Sequence, residues 1–95
     1  MADPEVLRIL EETFPRLQDL GVTSLRLFGS AARGDLGPTS DIDVLVEFKD
    51  GDAARYFEIL FELEDALGRQ VDLVLPETLH RRIRSRVLDE ALKVA

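Results

Sequence analysis

Residues 42 to 48, Ile-Asp-Val-Leu-Val-Glu-Phe, are a nearly continuous β-branched and apolar run, broken only by Asp43 and Glu47. A run of this kind predicts a central strand. Asp41 and Asp43 stand where loop gives way to that strand. Side chains at i and i+2 of a strand share a face, roughly 6.6 Å apart along the chain, so both carboxylates can converge on one hard cation. An unpaired acid pair at the start of a buried strand is costly, because desolvation and mutual repulsion both favour protonation; a divalent cation is the natural compensation. Asp72 is a third carboxylate in the same kind of position, second in the apolar run Val71-Asp72-Leu73-Val74-Leu75. Taken singly, Asp41 reads as a turn residue, and Asp43 or Asp72 as the exposed face of an edge strand. Three acids at strand beginnings favour a common site. Glu47 and Asp50 lie at the far end of the second strand and read as solvated.

The other elements follow from periodicity and punctuation. Val6, Leu7, Ile9, Leu10, Phe14 and Leu17 predict a helix over residues 4 to 19, with Asp3 as N-cap, Pro4 in its first turn, an end near Gly21 and a break or restart at Pro15. Residues 23 to 28 alternate polar and apolar and predict a strand stopped by Gly29. A short helical segment ends at Gly34, and residues 34 to 40 form a loop. After a turn at Asp50, Gly51 and Asp52 comes a helix over residues 53 to 67, stopped by Gly68, and then a strand over 71 to 75 ended by Pro76. From Thr78 a last helix carries Leu79, Ile83, Val87, Leu88, Ala91 and Leu92 as its apolar positions. The order is αβαβαβα, an α/β (α+β) pattern without internal repeats.

With 95 residues, the chain predicts one compact domain over residues 1 to 95. It has no cysteine, hence neither disulfides nor a thiolate zinc site, and no apolar run of bilayer-crossing length, so a cytoplasmic protein is expected. The net charge of −7 repels nucleic acid and favours cations or basic partners, which makes direct nucleic-acid binding an unfavoured reading. Arg81, Arg82, Arg84 and Arg86 form the one basic stretch and read as a solvated helix surface balanced by Asp89 and Glu90.

Ahead of the acid pair stands Phe28-Gly29-Ser30, at the exit of the first strand. Glycine allows a phosphate close to the backbone, a helix start offers free N–H groups and the serine hydroxyl adds a donor, which together suit an anion. Arg33 offers a planar fork for phosphate oxygens. Gly29-Ser30, ten intervening residues, Asp41-Ile42-Asp43 and the later Asp72 resemble the polymerase-β-like nucleotidyltransferase superfamily. The string over residues 28 to 46 carries the resemblance, and the small size is similar to its minimal branch, the MNT proteins.

The resemblance implies a polymerase-β-like fold in which Gly29 and Ser30 hold a triphosphate, with Arg33 as a phosphate contact and Ser40 supporting the loop or the phosphates. It implies that Asp41 and Asp43 ligate two Mg²⁺ ions, and that Asp72 completes the metal-binding and catalytic triad and activates the attacking hydroxyl. ATP is the implied substrate and AMP the transferred group. Relatives often carry arginine where this chain has Ala31, so one phosphate contact is expected to be missing. For the four site positions to meet, the first strand must run antiparallel to the second and the third parallel to it, in a small mixed three-stranded sheet flanked by helices. Such a sheet leaves little protein to enclose a nucleotide or an acceptor, so a partner or a second copy is expected to finish the site. The MNT resemblance suggests a HEPN-domain ribonuclease toxin as that partner, with this chain an antitoxin that adenylylates it. The alternative is an antitoxin that neutralises by complex formation without catalysis.

Overall fold

Asp3 fixes where the first helix begins: its carboxylate accepts the backbone N–H groups of Glu5 and Val6 at 3.0 and 3.2 Å. In this computed structural model, which describes residues 1–49 and 52–95, α1 spans Pro4–Asp19 without interruption. Pro15 therefore does not break the helix. It and Glu11, whose carbonyl loses its intrahelical donor, both lie on the exposed side, where water can replace the missing N–H. Val6, Leu10 and Leu17 face inward with Thr13, whose hydroxyl donates to the Ile9 carbonyl at 2.7 Å.

β1 (Val22–Phe28) leads directly into the five-residue α2 (Gly29–Arg33), and β2 (Ile42–Phe48) follows the loop. α3 (Ala53–Leu67) starts at Asp52, whose side chain accepts the Arg55 N–H at 2.8 Å, and stops at Gly68 in the left-handed conformation. The first two residues of the turn expected at Asp50, Gly51 and Asp52 lie outside the described residues. β3 (Val71–Val74) then runs parallel to β2, while β1 runs antiparallel to it, as the convergence of the acids requires.

Two expectations about the C-terminal part are corrected. The helix expected from Thr78 is preceded by a 3₁₀ turn (Pro76–Thr78) and begins later, as α4 (Arg81–Glu90). The Leu75 carbonyl, which ends the strand at Val74, accepts the Thr78 N–H and hydroxyl at 3.0 and 2.7 Å, and His80 Nδ1 caps the Arg82 N–H at 3.1 Å. The helix also stops before Ala91. Ala91 adopts φ −71°, ψ 137°, and Leu92–Lys93 forms β4 against the otherwise open edge of β1. The expected three-stranded sheet thus becomes four-stranded among the described residues, in the order β3-β2-β1-β4.

Alternation along the strands sorts the two faces. Leu25, Leu27, Ile42, Val44, Val46, Val71 and Leu73 join Leu10, Leu17, Ile59 and Leu63 in the core. The intervening positions put Asp43 and Asp72 on the opposite face. α4 buries none of its residues, and Ile83, expected on its inner face, is 46% exposed. Among the described residues its four arginines form no ion pair, with Asp89 and Glu90 or otherwise; Arg84 instead donates to the carbonyls of Glu77 and Leu79. The free edge of β3 is closed by α3, since Glu64 Oε2 accepts the Val71 N–H at 3.0 Å and the Tyr56 hydroxyl donates to the Leu73 carbonyl at 2.7 Å. No helix among the described residues is long and apolar enough to cross a membrane.

Candidate active site

The parallel register pairs Asp43 with Asp72, so the two acids project from adjacent strands on the same face. Asp43 is held above the ordinary carboxylate range, chiefly by burial, then by the charge of Asp72 and the hydrogen bond with it, and by the charge of Asp41; Arg33 opposes the shift. Burial, and then the charge of Asp72, also pushes the Tyr56 hydroxyl up.

Phe28 pairs with Asp43 across the β1–β2 ladder, which places Gly29 beside the acid. Gly29 has φ +70°, and a Cβ there would stand 2.2 Å from Asp43 Oδ2. Glycine is therefore required twice, by the left-handed backbone and by the carboxylate against it. Ser30 follows in the first turn of α2, and its carbonyl accepts the Asp35 N–H at 3.0 Å. Arg33 closes α2 and pairs loosely with Asp35 at 3.4 Å, both side chains being mostly exposed. A cavity of about 490 Å³ opens here, lined by Phe28, Gly29, Ala32, Arg33, Val87 and Glu90.

Asp41 is exposed and just precedes β2. Ser40 turns its hydroxyl into the loop, where it accepts the Gly37 N–H at 3.3 Å. Ala31 is completely buried and belongs to the core.

The structure thus gathers Gly29, Asp43 and Asp72, with Asp41 and Arg33 near enough to act on Asp43 electrostatically. Among the described residues, no group of three or more acidic, histidine or cysteine side chains is arranged as a metal cage. Mg²⁺ does not need one, because it is usually held by one or two carboxylates together with substrate phosphates and water. Two facing carboxylates, one with ionisation opposed by burial and by its neighbours, suit that mode, and a hard cation would relieve their repulsion. Sequence reasoning missed the cavity wall supplied by Val87 and Glu90, which helical spacing alone could not place near Gly29. It also missed Arg69, a lone arginine after a helix-ending glycine, which binds the loop before Asp41.

The architecture and this constellation match known proteins. A nucleotidyltransferase domain model matches residues 5–94. The protein adenylyltransferase MntA of Thermococcus cleftensis is 37% identical over 75 residues, covering 78% of this chain and 76% of the relative. A solved minimal nucleotidyltransferase superposes with a TM-score of 0.83 at 37% identity, covering 95% of this chain and 94% of that one. A toxin–antitoxin crystallised with AMP-PNP gives a TM-score of 0.72 at 27% identity, covering 90% and 72%. With its glycine packed against one of two facing strand acids and its mixed sheet, the chain belongs to the nucleotidyltransferase family, in its minimal branch.

Proposed function

We propose that the chain transfers AMP from Mg-ATP to a tyrosine hydroxyl of a partner protein, as the antitoxin of a HEPN-domain ribonuclease toxin. The observation that carries the transfer is Gly29 lying bare against Asp43 with Asp72 across from it, so that a phosphate can approach where the acids converge. The AMP-PNP in a structural relative and the protein adenylyltransferase name of MntA support the nucleotide and the class of acceptor. The HEPN partner rests on the MNT resemblance and on the −7 charge, which suits a partner that must itself be basic to hold RNA.

In this reading Gly29 and Ser30 receive the phosphates, with Arg33 supplying positive charge at the same end. Asp41 and Asp43, with Asp72, would hold the metal, and Ser40 keeps the preceding loop in shape. Mg²⁺, when bound there, would neutralise the charge that develops during phosphoryl transfer. Asp72 accepts the proton of the acceptor hydroxyl as its oxygen forms a bond to the α-phosphorus. The bond from that phosphorus to the bridging oxygen breaks, and pyrophosphate leaves.

One observation favours the second reading, neutralisation by complex formation. Phe57 and Phe61 lie exposed on α3, ring centroids 6.1 Å apart, on the layer opposite the acids, where they could dock a partner without catalysis. Mass spectrometry separates the two. Incubation of the HEPN partner with this chain and Mg-ATP should add increments of about 329 Da, one AMP residue each, and Asp41→Asn or Asp43→Asn should prevent it. An unmodified partner whose ribonuclease activity is still silenced by a chain carrying both Asp41→Asn and Asp43→Asn would establish the binding reading instead.

A further inference from the structure

Of the three acids, Asp41 has the least regular backbone around it: it precedes β2 and follows a loop containing Gly34, Gly37 and Pro38. Its two neighbours are nevertheless tied to the same short segment. Arg69 Nη2 donates to the Ser40 carbonyl at 2.6 Å and also to the Gly37 carbonyl. Ile42, on the other side, donates its N–H to the Gln70 carbonyl at 3.1 Å. The grip on the loop is on a closed unit, since Ser40 N–H reaches the Gly37 carbonyl and Gly37 N–H reaches Ser40 Oγ, each at 3.3 Å. Gly68, left-handed with φ +64°, ends α3 and turns the chain so that Arg69 and Gln70 lead into β3, two residues before Asp72.

Arg69 is half-buried and forms no ion pair among the described residues, and its Nη2 serves both carbonyls. A charged donor fixed between two backbone acceptors holds geometry more firmly than a neutral one. We propose that Arg69 is a positioning residue: it locks the 37–41 loop to the start of β3 and thereby sets Asp41 relative to Asp72. It acts through the backbone leading into Asp41, at the Gly37 and Ser40 carbonyls, while the Gln70 carbonyl beside it holds Ile42, in the way that residues behind a metal ligand orient that ligand. The proposal rests on the nucleotidyl-transfer reading in that it takes these acids to bind a divalent cation.

The test is Mn²⁺ binding by electron paramagnetic resonance, with and without ATP, on the whole chain as wild type, Arg69→Ala, Arg69→Lys and Ile59→Val. Arg69→Ala should weaken Mn²⁺ binding about 10- to 100-fold, the usual effect of removing a residue that orients a ligand. Arg69→Lys should recover most of the loss, because an ammonium can donate to both carbonyls. Ile59→Val, a core change remote from the loop, should lower thermal stability and leave Mn²⁺ affinity at the wild-type value. If Arg69→Ala does not fold, Arg69→Gln takes its place under the same criterion. Binding within twofold of wild type in the arginine variant, or an equal loss in Ile59→Val, overturns the positioning role while leaving the metal site in place. A wild-type chain that fails to bind Mn²⁺ overturns the metal-site reading itself, and this role with it.

Discussion

Replacing Gly29 with alanine separates two effects that the structure assigns different sizes. At φ +70° the alanine must hold a left-handed backbone, which costs about 1–2 kcal/mol for an L-residue. In a chain of this length each kcal/mol corresponds to roughly 4–8 °C in Tm. The added Cβ would also stand 2.2 Å from Asp43 Oδ2, where ordinary contact begins near 3.4 Å, so the carboxylate must retreat by about an ångström. A misplacement of that size at a reacting centre costs on the order of 100-fold in rate.

Gly68→Ala supplies the control, since Gly68 has φ +64° but nothing within 4 Å of the added methyl. Both variants should melt lower by a similar amount. Only Gly29→Ala should lose most of its AMP transfer, followed by pyrophosphate release under saturating Mg-ATP. If Gly29→Ala keeps a rate within threefold of Gly68→Ala, the apposition of Gly29 and Asp43 is not what the chemistry requires.

Asp43 gives a pH signature. Its raised pKa means that the folded chain binds this proton more tightly than the unfolded one, so the stabilisation is complete below the unfolded value of 3.8 and is lost as pH rises through the higher folded value. Metal-free Asp43→Asn should lack that fall and melt above wild type at neutral pH; parallel melting-versus-pH curves for the two would contradict it. Ala31→Leu should destabilise by about 1–3 kcal/mol, because the larger side chain overpacks a fully buried site, and a wild-type Tm for that variant would show that the core has room there.

The acid-bearing end of the fold was legible because its requirements are local. Ile42 to Phe48 reads as an inner strand, and the requirement that Ser30, Asp41, Asp43 and Asp72 converge predicts the strand directions that the sheet has. The C-terminal part was not legible in the same way. Ala91 and Leu92 continue the apolar rhythm of a helix, and what takes them out of it is the unpaired edge of β1, some 65 positions earlier in the chain. Pro15 misled because a rule about helix interiors does not say which side of the helix faces water. The burial of Ala31 was not legible either: alignment to a motif specifies a place in the chain, whereas the packing of its side chain depends on how the five residues of α2 settle on the sheet. Arg69 carried no signal, because donation to two carbonyls of a distant loop leaves no spacing to recognise.

The closed margin of β3 bears on how this molecule can associate. With the Val71 N–H held by Glu64 and the Leu73 carbonyl by Tyr56, an incoming strand would have to displace both side chains before it gained a ladder. The opposite margin is only two residues long and carries Lys93, a poor template for extension. Growth of the sheet from chain to chain is disfavoured at both ends. A binding protein is therefore expected to recognise side chains on helices or on the open acid-bearing face rather than to join as an additional strand.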